Sequence, residues 1–221
     1  MGGGRLEPAG GRAFLYNRGM RKALFPLLLL APFAACRHEP PNLHSPGSTI
    51  VVLGDSISVG VGVAAGEAYP ELLAGRLKTE VINDGISGDT TADGLARLDQ
   101  VLAQNPWLVI VELGGNDILR QVPPDQAEKN LRTILDRILA AHVLPVLIEV
   151  DAPFAGRYNA MYDRLADDYH IPIVDDVLGE ILRSPSLKSD QIHPNAQGQR
   201  ELADAVAKEI EPLIKARERR R

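Results

Sequence analysis

The chain alternates between short unbroken apolar runs and longer stretches in which apolar residues recur every third or fourth position. Residues 49–53 (TIVVL) and 107–113 (WLVIVEL) are continuous apolar runs, the pattern of strands buried on both faces. Residues 80–83, 145–150 and 171–174 read as three further strands. Between them, helices are predicted over residues 67–77, 91–103, 124–141 and 157–169, with a last one over 194–215. The clearest opens at Pro123-Pro124-Asp125 and carries Leu131, Ile134, Leu135, Ile138 and Leu139 at helical spacing. Repeated strand–helix units predict an α/β fold. The expected form is a three-layer α/β/α sandwich around a flavodoxin-like parallel sheet of five strands, in the order 2-1-3-4-5. In such sheets ligands bind beyond the carboxyl ends of the strands, near the switch in strand order. Residues that carry chemistry should therefore follow strands.

Composition adds little to this picture, but charge adds something. The 221 residues are 45% hydrophobic and 24% charged, ordinary for one globular domain. The formal net charge is -5. Within the first 35 residues Arg5, Arg12, Arg18, Arg21 and Lys22 face only Glu7, so the remainder is more acidic than the whole. An acidic body excludes nucleic acid as a general partner, which needs a basic face. Arg217, Arg219, Arg220 and Arg221 read as a solvated basic tail over residues 217–221. A lone cysteine, Cys36, excludes a disulfide framework within one chain. The five histidines lack ligand spacing, so no metal site and no cofactor is expected. One acidic domain of this size is expected to work as a monomer.

The first 36 residues read as an address. Arg21-Lys22 precede an apolar run from Ala23 that ends in Ala34-Ala35 before Cys36. A basic start, a short apolar run and a small-residue exit describe a signal peptide over residues 1–35. The run has 13 residues, short of the ~20 that span a bilayer. Translation from Met20 would give the signal ordinary proportions, with residues 1–19 as an upstream mis-start. Phe33-Ala34-Ala35-Cys36 resembles a bacterial lipobox, with Phe33 where Leu is usual. Cys36 is then the lipidated first residue of an envelope protein; the alternative is ordinary cleavage and a free thiol. Residues 36–48, with Pro40, Pro41, Pro46 and Gly47, read as a flexible tether to a domain over 49–216.

Four polar clusters follow the predicted strands: Gly54-Asp55-Ser56, Ser87-Gly88-Asp89, Gly114-Gly115-Asn116-Asp117 and Asp190-Gln191-Ile192-His193. Taken singly each has a structural reading. Ser56 after a strand is usually a turn or cap, Gly88 a turn glycine, Asn116 a cap, and Asp190 and His193 caps for the helix at Pro194. Converging at one sheet edge, they supply a hydroxyl, an imidazole, a carboxylate and an amide, the parts of acyl transfer. Asp55, Asp89 and Asp117 read as acceptors that brace loops, and Ser58 is a rival nucleophile. His170 reads as a surface residue. The α/β-hydrolase elbow G-x-S-x-G and the phosphate loop G-x-x-x-x-G-K-[ST] are both absent.

With these blocks in this order, the chain resembles the SGNH (GDSL) hydrolase family, in particular its bacterial branch of thioesterase/lysophospholipase-like arylesterases. The resemblance covers residues 50–214 and is most specific in VELGGND and ISGDT. It implies Ser56 as nucleophile, His193 as general base and Asp190 as its orienting carboxylate. It also implies an oxyanion hole built from the backbone N–H groups of Ser56 and Gly88 and the side-chain amide of Asn116. Substrate choice should lie in the apolar loops carrying Ile118, Leu119, Val122, Pro153 and Phe154, with Arg120 and Arg157 beside them. The segment 151–158 is short for the branch. The expected substrates are small-molecule or lipid esters: aryl esters, lysophospholipids or acyl thioesters. The alternatives are a carbohydrate O-acetylesterase of the envelope, for which 5% aromatics is poor material, and a non-catalytic envelope lipid-binding module, which predicts a degraded triad.

Overall fold

The computed structural model describes Met1, residues 39–151 and residues 158–220. The signal-peptide region, Cys36, Pro153, Phe154, Arg157 and Arg221 lie outside them. Five parallel strands run β1 (Thr49–Gly54), β2 (Val81–Gly85), β3 (Pro106–Glu112), β4 (Leu144–Ile148) and β5 (Ile173–Val174), in the order β2-β1-β3-β4-β5. This is the order expected from the sequence. Every residue of β1, β3 and β4 is buried, which is why these strands show no polar alternation. β5 is shorter than the expected 171–174. Pro172 has no N–H for the ladder, and only its carbonyl is used, accepting from Leu147 N at 3.0 Å.

Helices cover both faces. On one face α2 (Tyr69–Leu77) packs against α8 (Ala196–Glu218); on the other α3 (Thr91–Leu102) packs against α5 (Pro124–Ala140), which meets α6 (Asn159–Tyr169). The path from β1 out to β2 and back past β1 to β3 forces this division, because parallel crossovers keep one hand. Three short helices escape the apolar pattern: α1 (Ser56–Val59), α4 (Gly115–Leu119) and α7 (Val177–Arg183). None is long enough for periodicity to register. The last helix starts two residues later than expected, because Asn195 caps it by accepting from Gln197 N and Gly198 N.

Two expectations about the ends are corrected. Residues 39–48 are not a free tether. Leu43 is buried, Asn42 Nδ2 donates to Leu139 O at 2.9 Å and to Val143 O at 3.2 Å, and Ser48 N donates to Asn105 O. Nor does the tail begin at 217, since α8 continues to Glu218. Arg217 donates to the carbonyls of Ser45 and Gly47, and its guanidinium lies 4.6 Å from the Trp107 ring centroid. Composition signals freedom in both segments, but long-range contacts to backbone carbonyls and an indole face remove it.

Candidate active site

Chain order brings all four polar clusters to the carboxyl edge, at the point between β1 and β3 where strand order reverses. β1 delivers Asp55 and Ser56 into the turn of α1. Asp55 Oδ1 accepts from Ile57 N at 2.9 Å and so caps α1. The turn is tight: a Cβ on Gly54 would stand 2.0 Å from Ser58 Oγ. Ser56 opens α1, so its N–H is by position one of the donors that a helix leaves unsatisfied.

From the far end of the chain, the segment 188–195 reaches Ser56. Ser189 N donates to His193 O at 3.0 Å, and Asn195 N donates to Leu187 O at 2.8 Å. His193 Nε2 stands 3.0 Å from Ser56 Oγ, and its Nδ1 stands 2.7 Å from Asp190 Oδ2. The other carboxylate oxygen of Asp190 accepts from Ile192 N at 2.8 Å and His193 N at 2.9 Å. The hydrogen bond from His193, then that from Ile192 N, holds the Asp190 carboxyl down to about 2. An ionised Asp190 only accepts, so Nδ1 carries the imidazole proton and Nε2 is left to accept from the Ser56 hydroxyl.

Asn116 enters from α4. Its Nδ2 donates to Asp55 Oδ2 and to Asp89 O, both at 2.9 Å. Gly88 has φ +90, a conformation that favours glycine. Its carbonyl accepts from Arg120 Nη2 at 2.7 Å, while Arg120 N donates to Asn116 O at 2.9 Å. One arginine therefore ties the Gly88 turn to α4. Asp89 accepts from Arg97 Nε at 2.6 Å, and Asp117 accepts from Thr91 N and Oγ1 at 2.8 and 2.6 Å. These two aspartates and Asp55 brace loops. Ser58 is fully buried and donates to Glu112 Oε2 at 2.6 Å, so it has no path to a substrate. Among the described residues no group of three or more His, Cys, Asp or Glu is arranged to hold a metal ion.

Ser56, Asn116 and His193 open onto a cavity of about 180 Å³. Ile118 and Leu119 line it as expected, while Phe154 lies outside the described residues. Val150, Leu182, Lys188 and Ile192 also line it. The sequence reading missed these four. Val150 and Leu182 read as core residues, and nothing local marks them as pocket walls.

The family described as GDSL-like Lipase/Acylhydrolase matches residues 52–201. The chain belongs to this family. The hydrolase is 42% identical over 176 residues to thioesterase 1/protease 1/lysophospholipase L1 of Escherichia coli (strain K12), covering 75% of this chain and 85% of that one. It is 36% identical over 174 residues to an arylesterase of Vibrio mimicus, covering 73% and 87%. A crystal structure of TesA superposes with a TM-score of 0.70 at 34% identity, covering 75% of this chain and 99% of that one. The esterase EstA from Pseudoalteromonas sp., in a structure inhibited by monoethylphosphonate, gives a TM-score of 0.66 at 28% identity, covering 76% and 99%. The hydrolase is a serine esterase, acting on carboxylic esters.

Burial carries a measurable consequence at Asp55. Desolvation raises its carboxyl from 3.8 to about 6, against the lowering effect of Ile57 N. The folded hydrolase therefore binds this proton more tightly than the unfolded chain does. The stability it contributes is fully present below 3.8 and lost as pH rises through about 6. Between about pH 5 and about pH 8 the wild type should lose more melting temperature than Asp55→Asn, which cannot titrate. Thermal scans across that range check this, and equal slopes would count against a buried, proton-binding Asp55.

Proposed function

We propose that Ser56 is the nucleophile of this esterase, with His193 as base and Asp190 orienting it. The observation that carries the reading is the unbroken hydrogen-bonded line from Asp190 through His193 to Ser56 at the mouth of the cavity. As Ser56 Oγ attacks the ester carbonyl carbon, His193 Nε2 takes the hydroxyl proton. The carbonyl electron pair moves onto oxygen, held by the N–H groups of Ser56 and Gly88 and by Asn116 Nδ2. Both Nδ2 protons already have acceptors, so the oxyanion shares one of them. Collapse of the tetrahedral species expels the alcohol or thiol with the proton from His193 and leaves an acyl ester on Ser56. Water then repeats the sequence and releases the acid.

The substrate class follows from the cavity. Ile118, Leu119, Val150, Leu182 and Ile192 give it apolar walls, and its volume lies below the ~300 Å³ of common drug-sized pockets. A short- to medium-chain acyl group fits, carried by an aryl alcohol, a lysophospholipid or a thiol. The names of the relatives, arylesterase and thioesterase/lysophospholipase, support that range. In a series of p-nitrophenyl esters of increasing acyl length, kcat/KM should rise over the first members and fall once the chain outgrows the cavity. Activity confined to acetylated sugars would overturn the substrate class.

The hydrolase is exported on residues 1–35 and held in the cell envelope through lipid on Cys36, acting as a monomer. Among the described residues no helix is long and apolar enough to cross a membrane. Labelled palmitate should enter the wild type and not Cys36→Ala. Label in neither protein removes the anchor and leaves a soluble exported enzyme.

A further inference from the structure

Beneath the site lies a second carboxyl that the reaction above does not use. Glu112, the last residue of β3, is 0% exposed. Its Oε2 accepts from Ser58 Oγ at 2.6 Å and from Asp55 N at 3.3 Å. Tyr69 OH stands 3.2 Å from the same Ser58 hydroxyl. Oε1 is buried and finds no donor among the described residues. Asp55, whose N–H gives the second of those bonds to Oε2, is itself 2% exposed. Two carboxyls buried side by side repel each other when both are ionised, so one of the pair keeps a proton. Asp55 in turn takes the Asn116 amide at 2.9 Å.

We propose that Glu112 is a positioning residue: a neutral carboxylic acid whose proton is given as a hydrogen bond to Asp55, keeping Asp55 an acceptor that fixes the Asn116 amide. The proposal rests on Asn116 as an oxyanion donor, the reading given above. The location of the proton decides which way the amide faces. An ionised Asp55 accepts only, so it must meet the NH2 end of Asn116, as the Asp89 carbonyl also does. A protonated Asp55 has a donor of its own and can meet the amide oxygen. A turned amide sets a carbonyl oxygen where the reaction needs an N–H. The proton belongs on Glu112 because that group is the more deeply buried and already accepts at only one oxygen. Asp55 accepts Ile57 N and Asn116 Nδ2 and feels the nearby His193. Consistent with this, burial and the neighbouring Asp55 push the Glu112 carboxyl well above its ordinary range.

Four readouts test this. Glu112→Ala should lower kcat about tenfold to 100-fold with KM little changed, a fraction of what losing one oxyanion donor costs. In an Asn116→Ala background the same replacement should change kcat less than about twofold, because its effect runs through the amide. Glu112→Gln keeps one acceptor oxygen and one donor, and should restore most of the rate that Glu112→Ala loses. An infrared band of a protonated carboxyl should be present in the wild type at neutral pH and missing in Glu112→Gln. Additive losses in the double variant, a Gln variant as poor as the Ala variant, or no such band in the wild type each overturn the proposal. If Glu112→Ala does not fold, the Gln variant and the infrared band still decide. An Asn116→Ala variant with full activity sinks instead the oxyanion reading on which the proposal stands, and leaves the infrared band to report the Glu112 proton by itself.

Discussion

Ser56→Ala is expected to lower kcat on p-nitrophenyl esters by about 10⁶-fold, the scale seen when a triad nucleophile is removed. The reason is that neither neighbouring serine can take over. Ser58 is fully buried and its proton is committed to Glu112 Oε2. Ser189, also near His193, directs its hydroxyl to His193 O at 3.3 Å. What remains is the oxyanion hole and substrate binding, so a residual rate above that of buffer is expected. KM should stay within a few fold, since the walls of the cavity are untouched. Burst kinetics give a second reading: the wild type should release p-nitrophenol equal to its active sites before steady state, and the variant none. Unchanged turnover in a folded Ser56→Ala protein would sink the assignment of the nucleophile.

Asp190→Asn is expected to lower kcat by about 10³–10⁴-fold, with KM again close to wild type. The replacement keeps an oxygen for Ile192 N and His193 N, so the loop stays in place. It changes what His193 Nδ1 meets. An amide N–H facing Nδ1 draws the imidazole proton to Nε2, and a protonated Nε2 cannot accept from Ser56. The loss therefore comes from the tautomer and not from disorder. Nor does it come from titration in the wild type, where Asp190 is held ionised down to about 2. Steady-state rates and a melting curve on the same sample separate the two causes. A fall in melting temperature with little change in kcat would show that Asp190 holds the loop and does not orient the base.

Much of this was legible from the chain alone, for reasons that differ by element. β1 and β3 are legible because burial on both faces writes an unbroken apolar run. The clusters at Ser56 and Asn116 are legible because each is a short local motif at a strand end, and a parallel sheet gathers strand ends. The His193 cluster is legible as a local motif, although α7 and residues 185–187 stand between it and β5. What escaped is non-local. Glu112 sits inside the run WLVIVEL and reads as the end of a strand; its partners Ser58 and Asp55 lie 54 and 57 residues away in sequence. Leu182 and Ile192 reach the cavity from α7 and the segment before α8, neither of which has a periodic pattern to predict it. Residues 39–48 looked free because proline and glycine carry no sign of the Arg217 side chain that fastens them.

That fastening holds the two ends of residues 39–220 close to each other. Glu39 meets Arg220 at 3.3 Å, so the two ends of residues 39–220 touch. They touch beside Ile171 and Pro172, just before β5, at the amino edge of the sheet. Ser56 lies at the other edge, about 20 Å away along the six residues of β1. A short linker from 220 to 39 should make a permuted chain that opens elsewhere and still folds. A grip at residue 39 or at residue 220 is therefore a grip on the edge opposite Ser56.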